Sequence, residues 1–376
     1  MDFQFIFLAL FIPVFTSIIL WFWFKHKTVW WEFLIPFIAS IITILIFKFT
    51  AEWSRTRDIE YWGGILTKTE YYEDWNEYIH QTCTCCCDKD GNNCTTYDCS
   101  YVSYHSEYWK ITGSNCENIR ISKQQYELLV KKFNNEVFVD LHRGYYTNDG
   151  DKYVSTWDKN KETLEPIITV HSYENRVQVS NSVFNYPEVK ENDIKQYKLY
   201  EYPEIYDYYK QKCILGIGDS TQILAERKFQ ILNSRLGLKK QVKVFILIFN
   251  NLPIKSAELQ ESYWKGGNKN EFIVCIGIDK NMNVKWCKPF SWTEVAELKI
   301  RTRNFVEKQD KLNLNELSDF LYKELDDNFI RKQFKEFSYL SVEPTTEQTI
   351  AAFIITLVVN IICSFIVIRN DITEIN

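Results

Sequence analysis

The chain has 376 residues, with 44 Lys and Arg against 49 Asp and Glu, a formal net charge of −5. That balance offers no phosphate-neutralising surface, so nucleic acid is not expected as a partner. Aromatic residues make up 16% of the chain while Gly and Pro number only 12 and 8, which argues against a linker or disordered chain; the roughly 300 residues between the apolar ends suffice for one or two domains with cores.

Residues 3–24 and 33–49 form two apolar stretches joined by Lys25-His26-Lys27 and the pair Trp30-Trp31, and residues 350–368 form a third. A bilayer core of about 30 Å takes about 20 apolar residues as a helix, because every backbone N–H and C=O must be satisfied inside the segment. The expectation is an N-terminal transmembrane helical hairpin (1–51) and a C-terminal transmembrane helix with a short cytoplasmic tail (344–376). A cleaved signal peptide is not expected: Met1-Asp2 is no positive n-region, and the first run ends Trp-Phe-Trp-Phe instead of in small residues. Lys25, Lys27 and Arg369 place the loop and the C-terminus in the cytoplasm and Asp2 outside; Lys48, Arg55 and Arg57 argue the other way, but the first helix usually dominates. This predicts an integral membrane protein of three helices with its soluble domain extracytoplasmic. Its partners would be the lipid bilayer and a protein at the envelope.

In the soluble part, residues 58–80 read as an aromatic strand pair folded about Gly63-Gly64. Residues 97–112 and 136–142 carry similar strand chemistry. Between them, Ile121, Tyr126, Leu129, Val130 and Phe133 recur at helical spacing behind Ser122, a helix N-cap residue. Residues 145–147 and 152–157 flank Asn148-Asp149-Gly150-Asp151, a hairpin turn sequence, and residues 167–183 alternate again. Residues 52–190 are therefore expected to form a mostly β, cysteine-containing module. Residues 191–215 follow as a connector within a Lys-, Glu- and Tyr-rich segment that repeats Tyr-Pro-Glu at 186–188 and 202–204.

After residue 216 the period changes. A helix over 220–236 stopped by Gly237, a buried strand over 241–249, a short helix over 256–263, strands over 272–278 and 284–288, and helices over 293–306 and 314–329 predict an α/β module at 216–343. The fold class expected for the whole chain is thus an α+β membrane protein. Within this stretch the order helix, strand, helix, then Ser262-Tyr-Trp-Lys-Gly-Gly-Asn-Lys-Asn-Glu-Phe-Ile-Val274, then a hairpin and helices, resembles the TPM domain, carried here by Trp264, Gly266, Gly267 and Asn270. The resemblance implies a membrane-tethered, extracytoplasmic α/β domain in which these four residues build a structural loop. It departs from the family in having Glu271 after Asn270 where Gly is usual. The upstream module, through Asp140-Leu-His-Arg143 and Tyr173-Glu-Asn-Arg176, resembles uncharacterised membrane proteins of phages and bacteria, for which no activity is implied.

Cysteines crowd residues 83–99, and ten of the eleven lie outside the third apolar stretch, which holds Cys363. A turn centred near Gly91 sets Cys83 opposite Cys99 for a hairpin disulfide. Cys87 and Cys94 would form a second rung, given a bulge. The rival is a zinc site joining these thiolates to His80 and His105; an oxidising compartment favours disulfides and a reducing one zinc. Cys275 and Cys287 read as small buried side chains.

Catalytic patterns are thin. Asp140, His142 and Arg143 share a strand, but an exposed face with a salt bridge is the simpler reading. Residues 215–220 (LGIGDS) read as a helix cap more readily than as an anion cradle. Asp88, Asp90 and Asn92 give half of a calcium loop without its distal Glu. The expected function is a non-enzymatic interaction or envelope protein needing no cofactor. The alternative implied by the TPM resemblance is a phosphohydrolase using a divalent metal.

Overall fold

The computed structural model describes residues 11–16, 18–19, 22, 34–85, 94–114, 118–133, 137–139, 152–156, 165–180, 186–207, 210–217 and 220–370. Most of the first apolar stretch, the 25–31 loop, Cys87, the 88–92 segment and Asp140, His142 and Arg143 lie outside them. The chain forms two compact units: residues 1–59, 172–185 and 333–376 in one, and 60–171 and 186–332 in the other.

Helix α1 (Leu34–Thr56) runs directly into β1 (Arg57–Tyr72), where Gly63 and Gly64 are buried interior positions. The strand pair expected to fold about these glycines is therefore corrected: the chain turns at 73–74 into β2 (Trp75–Ile79). A Cβ on Gly63 would lie 2.1 Å from the carbonyl oxygen of Asn233, so the glycine serves a close backbone approach and not a turn. Then come β3 (Thr82–Cys85), β4 (Thr95–Asp98), β5 (Tyr101–His105), β6 (Tyr108–Gly113) and β7 (Asn118–Ile121). Helix α2 (Lys123–Phe133) opens with a reciprocal cap: Gln125 N–H donates to Ser122 Oγ (3.3 Å) and Ser122 N–H to Gln125 Oε1 (2.9 Å). Strands β8 (Val137–Val139), β9 (Lys152–Thr156) and β10 (Pro166–Glu174) complete a sheet ordered β7-β6-β1-β9-β8, with β10 also on β1. Leu66, Ile111, Ile121, Tyr126, Leu129 and Ile167 form its core beneath α2.

The connector holds α3 (Glu191–Tyr197) and the two-residue strands β11 (Ile205–Tyr206), β12 (Lys210–Gln211) and β13 (Ile214–Leu215). Helix α4 (Ser220–Lys240) continues through Gly237, where a stop was expected, and ends before Gln241, whose φ is +54°. Strand β14 (Lys243–Asn250), α5 (Lys255–Tyr263), β15 (Glu271–Ile278), β16 (Val284–Ser291), α6 (Ala296–Glu307) and α7 (Leu314–Asn328) follow. The sheet order is β13-β14-β15-β16, parallel across the first two pairs and antiparallel across the last. Every residue of β15 is buried, as befits a central strand covered on both faces. One face packs on Phe229, Leu232 and Leu236 of α4 with Leu298, Leu317, Leu321 and Leu325. The other packs on Ala257, Leu259 and the connector's Leu199 and Tyr200. The chain is thus a mixed α+β protein.

In the first unit, α1 packs against α8 (Thr346–Asn370). Residues 34–56 and 346–366 are long and apolar enough to cross a membrane, with mean hydropathy 2.2 and 2.5. Between them the Asn360 amide donates to Ser40 Oγ and to the Thr356 carbonyl (2.9 Å), and all three residues are fully buried. In an apolar surrounding such a bond helps to hold two helices together. Asn360→Leu is expected to weaken the association of the two helices by about 1 kcal/mol, read by Förster transfer between labelled α1 and α8 peptides in micelles. Unchanged transfer would mean that packing alone holds the pair.

Candidate functional site

Two ladders, β2–β5 and β3–β4, follow each other along one hairpin. The pairs Trp75↔His105, Ile79↔Tyr101, Thr82↔Asp98 and Cys85↔Thr95 all sum to 180, so the register is unbroken across the irregular residues 80–81 and 99–100. Cys83 faces Tyr97, not Cys99, which corrects the expected alignment by two residues. The disulfide nevertheless joins Cys83 to Cys99, with Cα atoms 5.8 Å apart. Residues two apart on one strand share a face, so Cys99 is the diagonal neighbour of Cys83 and within bridging reach. These two sulfurs are therefore not zinc ligands. Cys94 is also disulfide-bonded.

The hairpin is an exposed ribbon. Tyr97, Tyr101 and Tyr104 are 53%, 50% and 63% exposed, and Tyr78 and Val102 stand open beside them. Aromatic and β-branched residues favour extended chain, which is why so exposed a ribbon forms; two strands without a packed face are marginal alone, which is why the staple matters. At its base lies a groove of about 480 Å3 lined by Tyr72, Trp75, Tyr104, His105, Tyr108 and Arg120, among others. Trp75 stacks on His105 at 4.4 Å between centroids, and Tyr72 on Tyr108 at 4.5 Å. Arg120 sits 5.0 Å over the Tyr108 ring. His105 Nε2 is 2.8 Å from Glu77 Oε2, so this histidine is engaged by a carboxylate. The Tyr104 hydroxyl donates to Asp74 (3.1 Å), a bond that raises its pKa because it favours the protonated phenol. Rings, a guanidinium and the carboxylate of Glu107 in one groove suit recognition of a polar, partly apolar surface.

A second cluster is buried. Lys243 and Glu271 begin neighbouring parallel strands in direct register, both with no exposed surface. The Lys243 ammonium donates to Gln211 Oε1 and lies 5.0 Å over the Tyr61 ring. Burial lowers its pKa to about 8. Glu271 accepts from the Tyr202 hydroxyl, from Asn268 N–H (2.9 Å) and from the Asn268 amide (2.9 Å); burial raises its pKa. Burial also pushes the Cys213 thiol up to about 12. A lysine with a lowered pKa is a fair base or nucleophile, but the adjoining cavity of about 10 Å3 admits nothing larger than a water. Its work is structural. The sequence signal was Lys243 itself, a charge inside the otherwise apolar run 242–249.

The loop carrying the TPM resemblance makes structural contacts. Trp264 Nε1 donates to the Tyr200 carbonyl (2.8 Å), and its ring packs on Tyr202 and Phe245. Lys265, Gly266 and Gly267 all have positive φ (49°, 83° and 74°), a conformation glycine adopts at little cost. The buried Asn270 amide ties the Tyr61 carbonyl (2.8 Å) to that of Gln241 (3.0 Å). Cys275 and Cys287 are buried free thiols, as is Cys213. Among the described residues, no three His, Cys, Asp or Glu side chains group as a metal site. Compared with protein-family models, curated proteins and solved structures, this chain matches none.

Proposed function

We propose that this protein is a membrane-anchored extracytoplasmic interaction protein that presents the stapled tyrosine ribbon to a protein partner and catalyses no reaction. The carrying observation is the row of exposed tyrosines on a two-stranded ribbon held by the Cys83–Cys99 disulfide. Tyrosine gives a large contact area at low entropic cost and keeps a hydroxyl for hydrogen bonding, and a disulfide belongs to an oxidising compartment. The apolar helices supply the anchor, with the 25–27 loop and the C-terminus on the cytoplasmic side.

Two measurements test this reading. For topology, the exposed Leu128 is replaced in Leu128→Cys, which an impermeant maleimide should label in intact cells; labelling only after permeabilisation would reverse the orientation. For binding, a photo-crosslinking residue at Tyr97 or Tyr101 of the full chain in its membrane should give one discrete adduct, and the same residue at Leu128 none. Cys83→Ser is expected to lower that adduct about tenfold or more, because opening a loop of 16 residues' separation releases roughly 3 kcal/mol of chain-entropy constraint. Equal adducts from all positions would defeat the ribbon's role. Phosphate release from an aryl phosphate by the same preparation with Mg2+, Mn2+ or Ca2+, lost in EDTA, would instead support the TPM-type phosphohydrolase.

A further inference from the structure

Where α1 ends, the first unit carries a pocket of about 710 Å3 whose lining includes Phe49, Trp53, Arg57, Glu174 and Arg176, within the roughly 300–1,000 Å3 range of ligand sites. Its two arginines differ. Arg176 is saturated: it pairs with Glu52 (2.5 Å) and Glu174 (2.7 Å) and donates to the Leu340 carbonyl (3.0 Å). Arg57 lies 4.9 Å over the Trp53 ring and has no carboxylate at ion-pair distance among the described residues. The neighbouring Asp58 is held by the Tyr173 hydroxyl (2.9 Å) and the Asn175 amide (2.8 Å) and so does not neutralise it.

The helix below the pocket says what reaches Arg57. Ile42, Ile46, Phe49 and Trp53 recur at i, i+4, i+7 and i+11, one face of α1, and all four are exposed, Phe49 and Trp53 at 70% and 55%. This apolar stripe runs into the pocket from the stretch that suits a membrane core, and Trp53 stands where an indole prefers the boundary between hydrocarbon and water. An acyl chain along the stripe brings its phosphodiester to Arg57.

Resting on the membrane-anchor reading above, we infer that the pocket is a phospholipid site, in which Arg57 binds the phosphodiester, the Trp53 ring flanks the head group, and the Ile42–Ile46–Phe49 stripe takes an acyl chain. A guanidinium matches a phosphate by paired, charge-assisted hydrogen bonds. A free phosphate would gain nothing from the stripe, so the ligand is the lipid.

The full chain is reconstituted in vesicles of equal phosphatidylethanolamine and phosphatidylglycerol, extracted in mild detergent and weighed by native mass spectrometry. One phospholipid is expected to stay with the chain. Arg57→Gln should cut that retained fraction about tenfold or more and Arg57→Lys markedly less, as the loss of a charge-assisted bond requires. Millimolar inorganic phosphate should not displace the lipid. Near-ultraviolet circular dichroism and the intact Cys83–Cys99 bond establish that each variant is folded. Equal retention by wild type and Arg57→Gln, or displacement by phosphate, overturns the inference. Release of the wild-type chain from the vesicles by alkaline carbonate would overturn the membrane reading itself, an outcome distinct from an anchored chain that keeps no lipid.

Discussion

Gly237→Ala is expected to destabilise the second unit by about 3 kcal/mol, although the same change in an ordinary helix interior stabilises by about 1 kcal/mol. The sign follows from what a Cβ would meet. Built on Gly237 it lies 2.3 Å from the carbonyl oxygen of Gly63 and 2.6 Å from its nitrogen. Those are backbone atoms of β1, whose continuation is pinned by β6 from Leu66 and by β9 from Lys68, so they cannot swing aside as a side-chain tip would. Relief requires α4 to retreat. That would lift Phe229, Leu232 and Leu236 from the sheet and pull Asn233 from Val244, with which it exchanges two hydrogen bonds of 2.7 and 3.0 Å. Urea unfolding of the detergent-solubilised chain, followed by tryptophan fluorescence, reads the loss as a lower midpoint. A midpoint at or above that of the wild type would show that helix and strand do not meet at these glycines.

The second large effect depends on pH. Lys243 is fully buried and its pKa falls from 10.5 to about 8, so between those values the unfolded chain holds a proton that the folded chain has released. Stability therefore rises with pH across that window, and the burial cost is felt in full below about pH 8. Relative to Lys243→Met, which has no proton to lose, the wild type should gain about 3 kcal/mol between pH 8 and 10.5, at 1.36 kcal/mol for each unit. Taking the difference removes most of the opposing trend from Cys213, whose raised thiol pKa makes folding less favourable as the unfolded thiol ionises. Urea midpoints of both proteins at the two pH values measure the gain. A difference that stays flat would mean that Lys243 remains charged in the fold, with Glu271 as a true ion-pair partner.

Particular residues show where the sequence was legible. Ser122 announces the start of α2, because an N-cap is a local arrangement, and the structure adds Gln125 as its reciprocal partner. The apolar run ending at Phe249 announces β14, because a strand covered on both faces needs no polar alternation. The pairing of Cys83 with Cys99 was legible for the same local reason, since turn-forming residues lie between two extended flanks. Its register was not: facing and diagonal neighbours are both on one face, and the spacing of two cysteines does not separate them.

Gly63 and Gly237 mark the limit. In the sequence each resembled punctuation, a turn in one case and a helix stop in the other, yet each sits inside its element against the other. A residue without a side chain carries no sign of which neighbour requires it. Arg57 and Arg176 likewise look alike in the sequence, and only the placement of Glu52 and Glu174 leaves one charge neutralised and the other available. The sequence by itself determined the two apolar helices at 34–56 and 346–370, the order of strands and helices in the α/β module and the stapled hairpin, because each depends on periodicity or composition within a short window. The tertiary structure alone decided that Lys243 meets Glu271 in the core, that two glycines join a helix to a strand, and that the end of α1 becomes a pocket. Those contacts join residues far apart in the chain, and their energies come from burial and close approach, which no local pattern records.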